Sequence, residues 1–161
     1  MKKLSLLFVF VISSVLVIGF SNQENAGEFS ITDISTGEKQ AGQKYFMVMP
    51  FEWSGEGVAE IQSIDIVKDG KPITSNASIS YTFYGGNPAK KTGVYGRSDI
   101  GEKEPINGFV IEEASTLILE ISLQNVHPNE DRALRVIYLN NGKEKEQVLQ
   151  SSLIEGLTTQ S

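Results

Sequence analysis

The stretch TLILEISLQN, residues 116–125, decides the fold class of this chain. Aliphatic residues occupy every second position in it, namely Leu117, Leu119, Ile121 and Leu123. The positions between them are polar, with Ile118 as the only exception. Because successive side chains of a β-strand point to opposite faces, this alternation predicts a strand with one face buried.

Turn signals separate the other apolar runs. Residues 45–53 contain Pro50, which favours a position at a sheet edge or beside a bulge. Residues 59–68 end at Asp69-Gly70, and residues 132–139 are followed by Asn141-Gly142; both dipeptides favour the positive φ angles of a tight hairpin. Residues 78–84 alternate, and residues 143–149 return as a partner strand. Residues 151–157 are expected to form a last strand or a frayed end.

This pattern predicts about seven short strands and no convincing helix. We therefore expect an all-β fold, an antiparallel two-sheet sandwich with an immunoglobulin-like topology and Trp53 in its core. The architecture resembles that of bacterial extracellular immunoglobulin-like modules. The chain has no cysteine, so the disulfide of antibody domains is absent and burial alone must stabilise the fold.

The amino terminus reads as an export signal. Lys2 and Lys3 precede an apolar run, residues 4–20, and residues 1–21 are predicted to be a signal peptide or an uncleaved N-terminal anchor. The end of the run resembles a lipoprotein signal, but Phe20 stands where the lipidated cysteine would be. Cleavage is expected after Ser21 or, as a rival site, after Ala26. Residues 22–43 are predicted to be a polar tether that includes a possible first strand, and residues 44–161 the β-sandwich domain.

The charge balance limits the partners. Removing Lys2 and Lys3 leaves 12 basic beside 20 acidic residues, a formal charge of −8. Such a surface repels nucleic acid and anionic membranes, so we expect membrane contact only through an uncleaved N-terminal segment. The predicted location is secreted, or on the extracellular face of the cell membrane.

The segment NVHPNEDR, residues 125–132, contains the only histidine. A zinc site would need further nitrogen or sulfur ligands beside His127, and the adjacent Glu130 and Asp131 diverge on an extended backbone. Pro128 and Asn129 are typical turn residues. We therefore interpret the segment as a connecting loop, and the sequence predicts no catalytic residue, no metal site and no cofactor.

Residues 85–104 are rich in glycine and show little periodicity. They are either a mobile functional loop or two short strands around Val94-Tyr95. Because binding residues often lie on loops that a rigid scaffold supports, we take the aromatic and basic residues in and beside this segment as candidate ligand-binding residues. They are Tyr84, Lys90, Lys91, Tyr95 and Arg97.

The leading functional hypothesis is an exported, non-enzymatic sandwich that serves as a cell-surface binding or accessory module for an envelope or extracellular protein or glycan. One alternative is a small extracellular hydrolase that uses carboxylates, which would show as two carboxylates facing each other across an aromatic-lined cleft. Another alternative is a structural or inhibitory partner of a second exported protein, which would show as a contiguous exposed apolar patch.

Overall fold

The computed structural model describes residues 27–34, 37–75, 78–86, 91–96 and 100–160. They form two antiparallel sheets packed face to face, so the predicted all-β sandwich is confirmed. The strands are β1 (Phe29–Ile31), β2 (Lys44–Trp53), β3 (Ala59–Lys68), β4 (Lys71–Pro72), β5 (Ile79–Gly86), β6 (Gly93–Tyr95), β7 (Glu104–Pro105), β8 (Phe109–Ile111), β9 (Ala114–Leu123), β10 (Arg132–Asn140) and β11 (Lys143–Leu149), and helix α1 (Ser152–Glu155) follows them.

Six of the eleven described strands have seven residues or more, and the other five have only two or three. The prediction of about seven strands therefore matches the long ones closely. The immunoglobulin-like topology stays a prediction. The predicted signal or anchor, residues 1–21, lies outside the described residues, and no helix in the described ranges is long and apolar enough to cross a membrane.

We call the two layers the front sheet and the back sheet. The front sheet has the order β1, β2, β9, β5, β7, and β6 pairs with the edge of β2 that also carries β1. The back sheet has the order β11, β10, β3, β4, and β8 also pairs with β3. The strand β9 is thus the centre of the front sheet, between β2 and β5.

The alternation of β9 is confirmed by burial. Its four inward residues, Leu117, Leu119, Ile121 and Leu123, are each at most 1% exposed. They share one core with Met47 and Met49 of β2 and with Leu134 and Val136 of β10. Burying one such aliphatic side chain stabilises the fold by about 1.5–3 kcal/mol, so the contact between the sheets is the main source of stability.

Aromatic rings close one end of this core. The ring of Phe29 lies 4.8 Å from those of Phe51 and Trp53 and 4.9 Å from that of Tyr138, between ring centroids. Trp53 is 4% exposed and its indole N–H donates to the carbonyl of Gly57, which confirms the predicted core position. Since Phe29 is 2% exposed, the core includes a residue from the segment predicted as a tether.

The strand β3 departs from strict alternation at a register shift. Ile61 is opposite Tyr138, but Ser63 is opposite Ile137, so Gln62 is an extra residue on β3. The bulge lets Ile61 and Ile64, three positions apart, both reach the core.

Both predicted hairpin turns are present. Asp69 and Gly70 have φ angles of 50° and 72°, and Asn141 and Gly142 have 52° and 72°. Pro50 lies between the points where β6 and β1 pair with β2, and its carbonyl faces that edge, because it accepts the N–H of Thr32. The proline therefore removes no hydrogen bond from the central ladder, as an edge position requires.

The expectation for residues 151–157 is wrong. They contain the four-residue helix α1 rather than a strand or a frayed end, and Leu153, Ile154 and Leu157 are at most 2% exposed in the core. Beyond the helix, the amide of Thr159 donates to the carbonyl of Val126. The core contacts of these three side chains hold the segment against the sandwich.

Candidate functional site

The outer face of the front sheet carries a second apolar cluster, which we call the outer cluster. Phe46, Ile100 and Ile118 form it and are at most 3% exposed, and the half-buried Tyr84 and Tyr95 pack against it. Strand pairing explains the grouping, since Phe46 is opposite Tyr95 and Ile118 is opposite Tyr84. Ile118, the one apolar residue among the outward positions 118, 120 and 122, lies between Val48 and Tyr84 on this face.

The glycine-rich segment covers the outer cluster. The strand β6 pairs with β2, and β7 pairs with Tyr84 and Gly85 of β5, so the segment is attached at both edges of the three central strands. Ile100 lies between these attachments and is fully buried. The sequence left two alternatives open for residues 85–104, and the structure has the predicted strand at Val94-Tyr95. Residues 87–90 and 97–99 lie outside the described ranges.

A lysine lies over the aromatic rings of this face. The ammonium of Lys103 is 4.8 Å from the ring centroid of Phe46 and 4.6 Å from that of Tyr84. It is also 3.4 Å from Oε2 of Glu120. A cation within about 6 Å of a ring face is attracted by the ring quadrupole, so these contacts hold Lys103 over the outer cluster.

Glu120 links two lysines on the same face. Its Oε1 is 2.6 Å from Nζ of Lys44, and its side chain is 18% exposed. Burial raises the pKa of Glu120, but the hydrogen bonds and charges of Lys44 and Lys103 outweigh burial, and the pKa is lowered overall. The hydrogen bond to Glu120 correspondingly raises the pKa of Lys44. The carboxylate stays ionised at neutral pH and orients both ammonium groups.

The structure brings three of the five candidate ligand-binding residues together. Tyr84 and Tyr95 pack on the outer cluster, and the hydroxyl of Tyr95 donates to the carbonyl of Lys91 over 2.7 Å. The side chain of Lys91 is exposed. Lys90 and Arg97 lie outside the described residues.

Sequence reasoning missed the partners that position these tyrosines, Phe46, Ile100, Lys103 and Glu120. The indirect signal in the sequence was their neighbour Ile118. An isoleucine such as Ile118 on the polar side of an alternating strand indicates that other residues cover the outer face there. In the structure, residues of the long glycine-rich segment cover it.

The loop with the histidine joins β9 in the front sheet to β10 in the back sheet. His127 is exposed, and the side chain of Asn129 accepts the amide of Asp131, which forms the turn. Together with helix α1 the loop borders an open cleft of about 600 Å³. No group of three or more histidine, cysteine, aspartate or glutamate residues in the described part of the chain is arranged to hold a metal ion.

Arg132, just after this loop, is 2% exposed, and its guanidinium donates through Nη2 to three backbone carbonyls. The acceptors belong to His127, Glu155 and Leu157, at 2.7–3.0 Å. Burial lowers its pKa. Arg132 therefore connects the loop to the carboxy-terminal segment.

A third region combines carboxylates with aromatic residues. A cleft of about 390 Å³ between β1, β2 and the start of β9 is lined by Glu28, Glu52 and Glu113, with Phe29 and Trp53 at its base. The two rings are only 2% and 4% exposed, so they present little surface to a ligand. The three glutamates are the charged groups of its lining.

Taken together, the fold and the outer cluster define a β-sandwich whose front sheet presents tyrosines and lysines on a covered outer face. Comparison of the chain with protein-family models, with curated proteins and with solved structures finds no match.

Proposed function

We propose that the protein is an exported, non-enzymatic binding module that acts at the cell surface, and that it contacts an extracellular protein or glycan through the outer face of the front sheet. The signal-like residues 1–21 support export. Lys103 lies over Tyr84, and the hydroxyl of Tyr95 donates to the carbonyl of Lys91; these groups on the outer face support binding there.

The chemistry of this face suits a partner with flat apolar and anionic groups. Tyrosine offers a planar ring and a polar hydroxyl, a combination that is enriched at protein interfaces. The side chain of Lys44 is 60% exposed and Lys91 is exposed, so both ammonium groups are available to carboxylate or sulfate groups. The overall charge of the protein is negative, so an anionic partner is repelled by most of the surface and attracted to this positively charged face.

A matched pair of charge reversals tests the proposal. Lys91→Glu changes the proposed face, and Lys71→Glu makes the same change on β4 of the back sheet, where Lys71 is also exposed. The purified mature protein and both variants are used to capture envelope proteins and glycans, and the captured species are then titrated directly. We expect Lys91→Glu to weaken binding and Lys71→Glu to leave it unchanged; equal binding by all three proteins would refute the proposed face.

The hydrolase alternative is supported by one observation, the cleft lined by Glu28, Glu52 and Glu113. Paired carboxylates catalyse glycoside hydrolysis when they flank the scissile bond. Hydrolysis of a panel of chromogenic glycosides that is lost in Glu113→Gln but kept in the neighbouring Glu112→Gln would favour this function over binding alone.

A further inference from the structure

We infer that the outer edge of β11 binds an extended basic segment of a partner protein, which adds to the back sheet as a further strand. This surface lies on the other sheet from the outer cluster. The inference is thus independent of the function proposed above.

Strand pairing shows which groups of β11 face outward. The two-residue turn makes Asn140 and Lys143 a hydrogen-bonded pair, and such pairs alternate along an antiparallel ladder. Lys145, Gln147 and Leu149 therefore bond to β10. The N–H and C=O groups of the residues between them, Glu144, Glu146 and Val148, point away from β10, at the end of the strand order.

Side chains satisfy other outward backbone groups of this sandwich. On β1, the amide of Phe29 donates to Oε1 of Gln147, and Nε2 of Gln147 donates to the carbonyl of Phe29. On β5, the hydroxyl of Ser75 accepts the amide of Tyr81 and donates to its carbonyl. Within the described ranges, no hydrogen bond of this kind reaches the outward groups of Glu144, Glu146 and Val148. Unpaired groups of this kind are a template for an added strand.

The side chains beside this edge define what the added strand must carry. Glu144 and Glu146 are exposed on the outer face of the sheet, and Val148 is 49% exposed on the same face. Opposite charges and apolar pairs stabilise directly opposed positions of neighbouring strands. An antiparallel strand that matches β11 therefore has an apolar residue followed, at alternate positions, by two basic residues.

The same charges argue against a second copy of this chain. In an antiparallel pair of two β11 strands, the register that engages all three outward residues places Glu146 opposite Glu146 of the second copy. Like charges in that position are destabilising. Repulsion between these glutamates therefore disfavours pairing of two copies, whereas a basic strand can still pair with this edge.

The probe is a capped heptapeptide that reads threonine, valine, threonine, lysine, threonine, lysine, threonine. It is titrated into the mature protein and followed by the NMR signals of the backbone amides. We expect the largest shifts at Glu144, Glu146 and Val148. In the double variant Glu144→Lys and Glu146→Lys, affinity for this peptide should fall about tenfold, and a peptide with glutamates in place of the lysines should bind instead.

Two controls separate strand addition from simple charge attraction. The double variant Glu112→Lys and Glu113→Lys makes the same charge change at two exposed residues elsewhere and should keep the affinity. N-methylation of the valine and both lysines of the peptide blocks the amides that face β11 and should abolish binding, whereas N-methylation of the threonines should not. The inference would be overturned if the wild type did not bind the peptide. It would also be overturned if the control double variant lost as much affinity as the Glu144/Glu146 variant, or if the peptide methylated at the valine and lysines bound as well as the parent peptide.

Discussion

Leu119 and Glu120 are chain neighbours with opposite surroundings. Leu119 is fully buried in the core, whereas Glu120 lies on the outer face. The alternation predicted this difference, and alternation alone would suggest that Glu120 tolerates a reversed charge. The structure corrects that expectation, because Glu120→Lys would bring a third ammonium group beside Lys44 and Lys103.

Leu119→Asp should therefore be compared with a truly exposed position. We expect it to lower the free energy of unfolding by several kcal/mol, since it loses about 1.5–3 kcal/mol of burial and leaves a carboxylate without water. Ser80→Asp, on the exposed face of β5, should be nearly neutral. Urea denaturation of both variants measures the difference, and equal stability would contradict the inward direction of Leu119.

Arg132 offers a second test at this scale. Arg132→Lys keeps the charge, but the lysine ammonium ends one bond short of the position of Nη2. The carbonyls of His127 and Leu157 then lose their donor, whereas that of Glu155 still accepts the amide of Asn129. We expect a loss of about 1–3 kcal/mol for each buried carbonyl left unsatisfied. Arg135→Lys, at a more exposed ion pair with Asp65, should cost less than about 1 kcal/mol. Denaturation midpoints check the order, and a reversed order would rule out this role.

No sequence pattern distinguishes these two arginines. They are three positions apart in one apolar run, and only the return of the carboxy-terminal segment buries Arg132. Contacts between distant parts of the chain are invisible to periodicity, which explains why Arg132 was expected merely to begin a strand.

At the scale of elements, Gly85 of the front sheet packs closely against Phe109 of the back sheet. A Cβ at this position would lie 2.5 Å from ring atoms of Phe109 in β8. Gly85→Ala should therefore destabilise the protein by about 1–3 kcal/mol, the usual cost of overpacking. In the double variant with Phe109→Leu the two effects should be less than additive, because the smaller side chain leaves room for the methyl group. A double-mutant cycle measures this coupling, and strict additivity would mean that the contact is absent.

Elements with local chemistry were predicted well, and elements that depend on distant partners were not. The residues of Asp69-Gly70 and Asn141-Gly142 themselves favour the positive φ angles of a hairpin turn, so these turns need no distant partner, and both are present. Residues 151–157 are too short for periodicity to separate helix from strand. Their helix is stabilised by the burial of Leu153 and Ile154, which no local signal reveals.

At the scale of the whole molecule, the structure bears on the two expected cleavage sites. Gly27 is buried, and a Cβ there would meet Gly55 and the Trp53 ring within 2.5 Å. A mature chain that starts at Gly27 would place its charged amino group against this contact, whereas a start at Asn22 moves the amino group five residues earlier in the chain. We expect the shorter chain to be less stable by about 1–3 kcal/mol, the cost of an unpaired buried polar group.

Thermal unfolding of the two recombinant chains checks this expectation. If export occurs as proposed, mass analysis of protein recovered from the medium should show the start at Asn22. Equal midpoints would contradict the reading of Gly27 as a packed position.

The architecture could be predicted because two sheets with one buried face each are the simplest way to bury alternating strands. The candidate site could be predicted only in part. Tyr84, Lys91 and Tyr95 were predicted because they are aromatic or basic and lie in or beside the glycine-rich segment. The residues that contact and position them lie in β2, in β9 and in the segment before β7, and the sequence did not predict them.

The central claim is that the outer face of the front sheet contacts the partner, and site-specific photocrosslinking in intact cells tests it most directly. A benzoylphenylalanine replaces Lys91 in one strain and Lys71 in another, both exposed and on opposite sheets. After irradiation, we expect a discrete crosslinked species from position 91 and none from position 71. A species from position 71 alone, or from neither position, would contradict the claim.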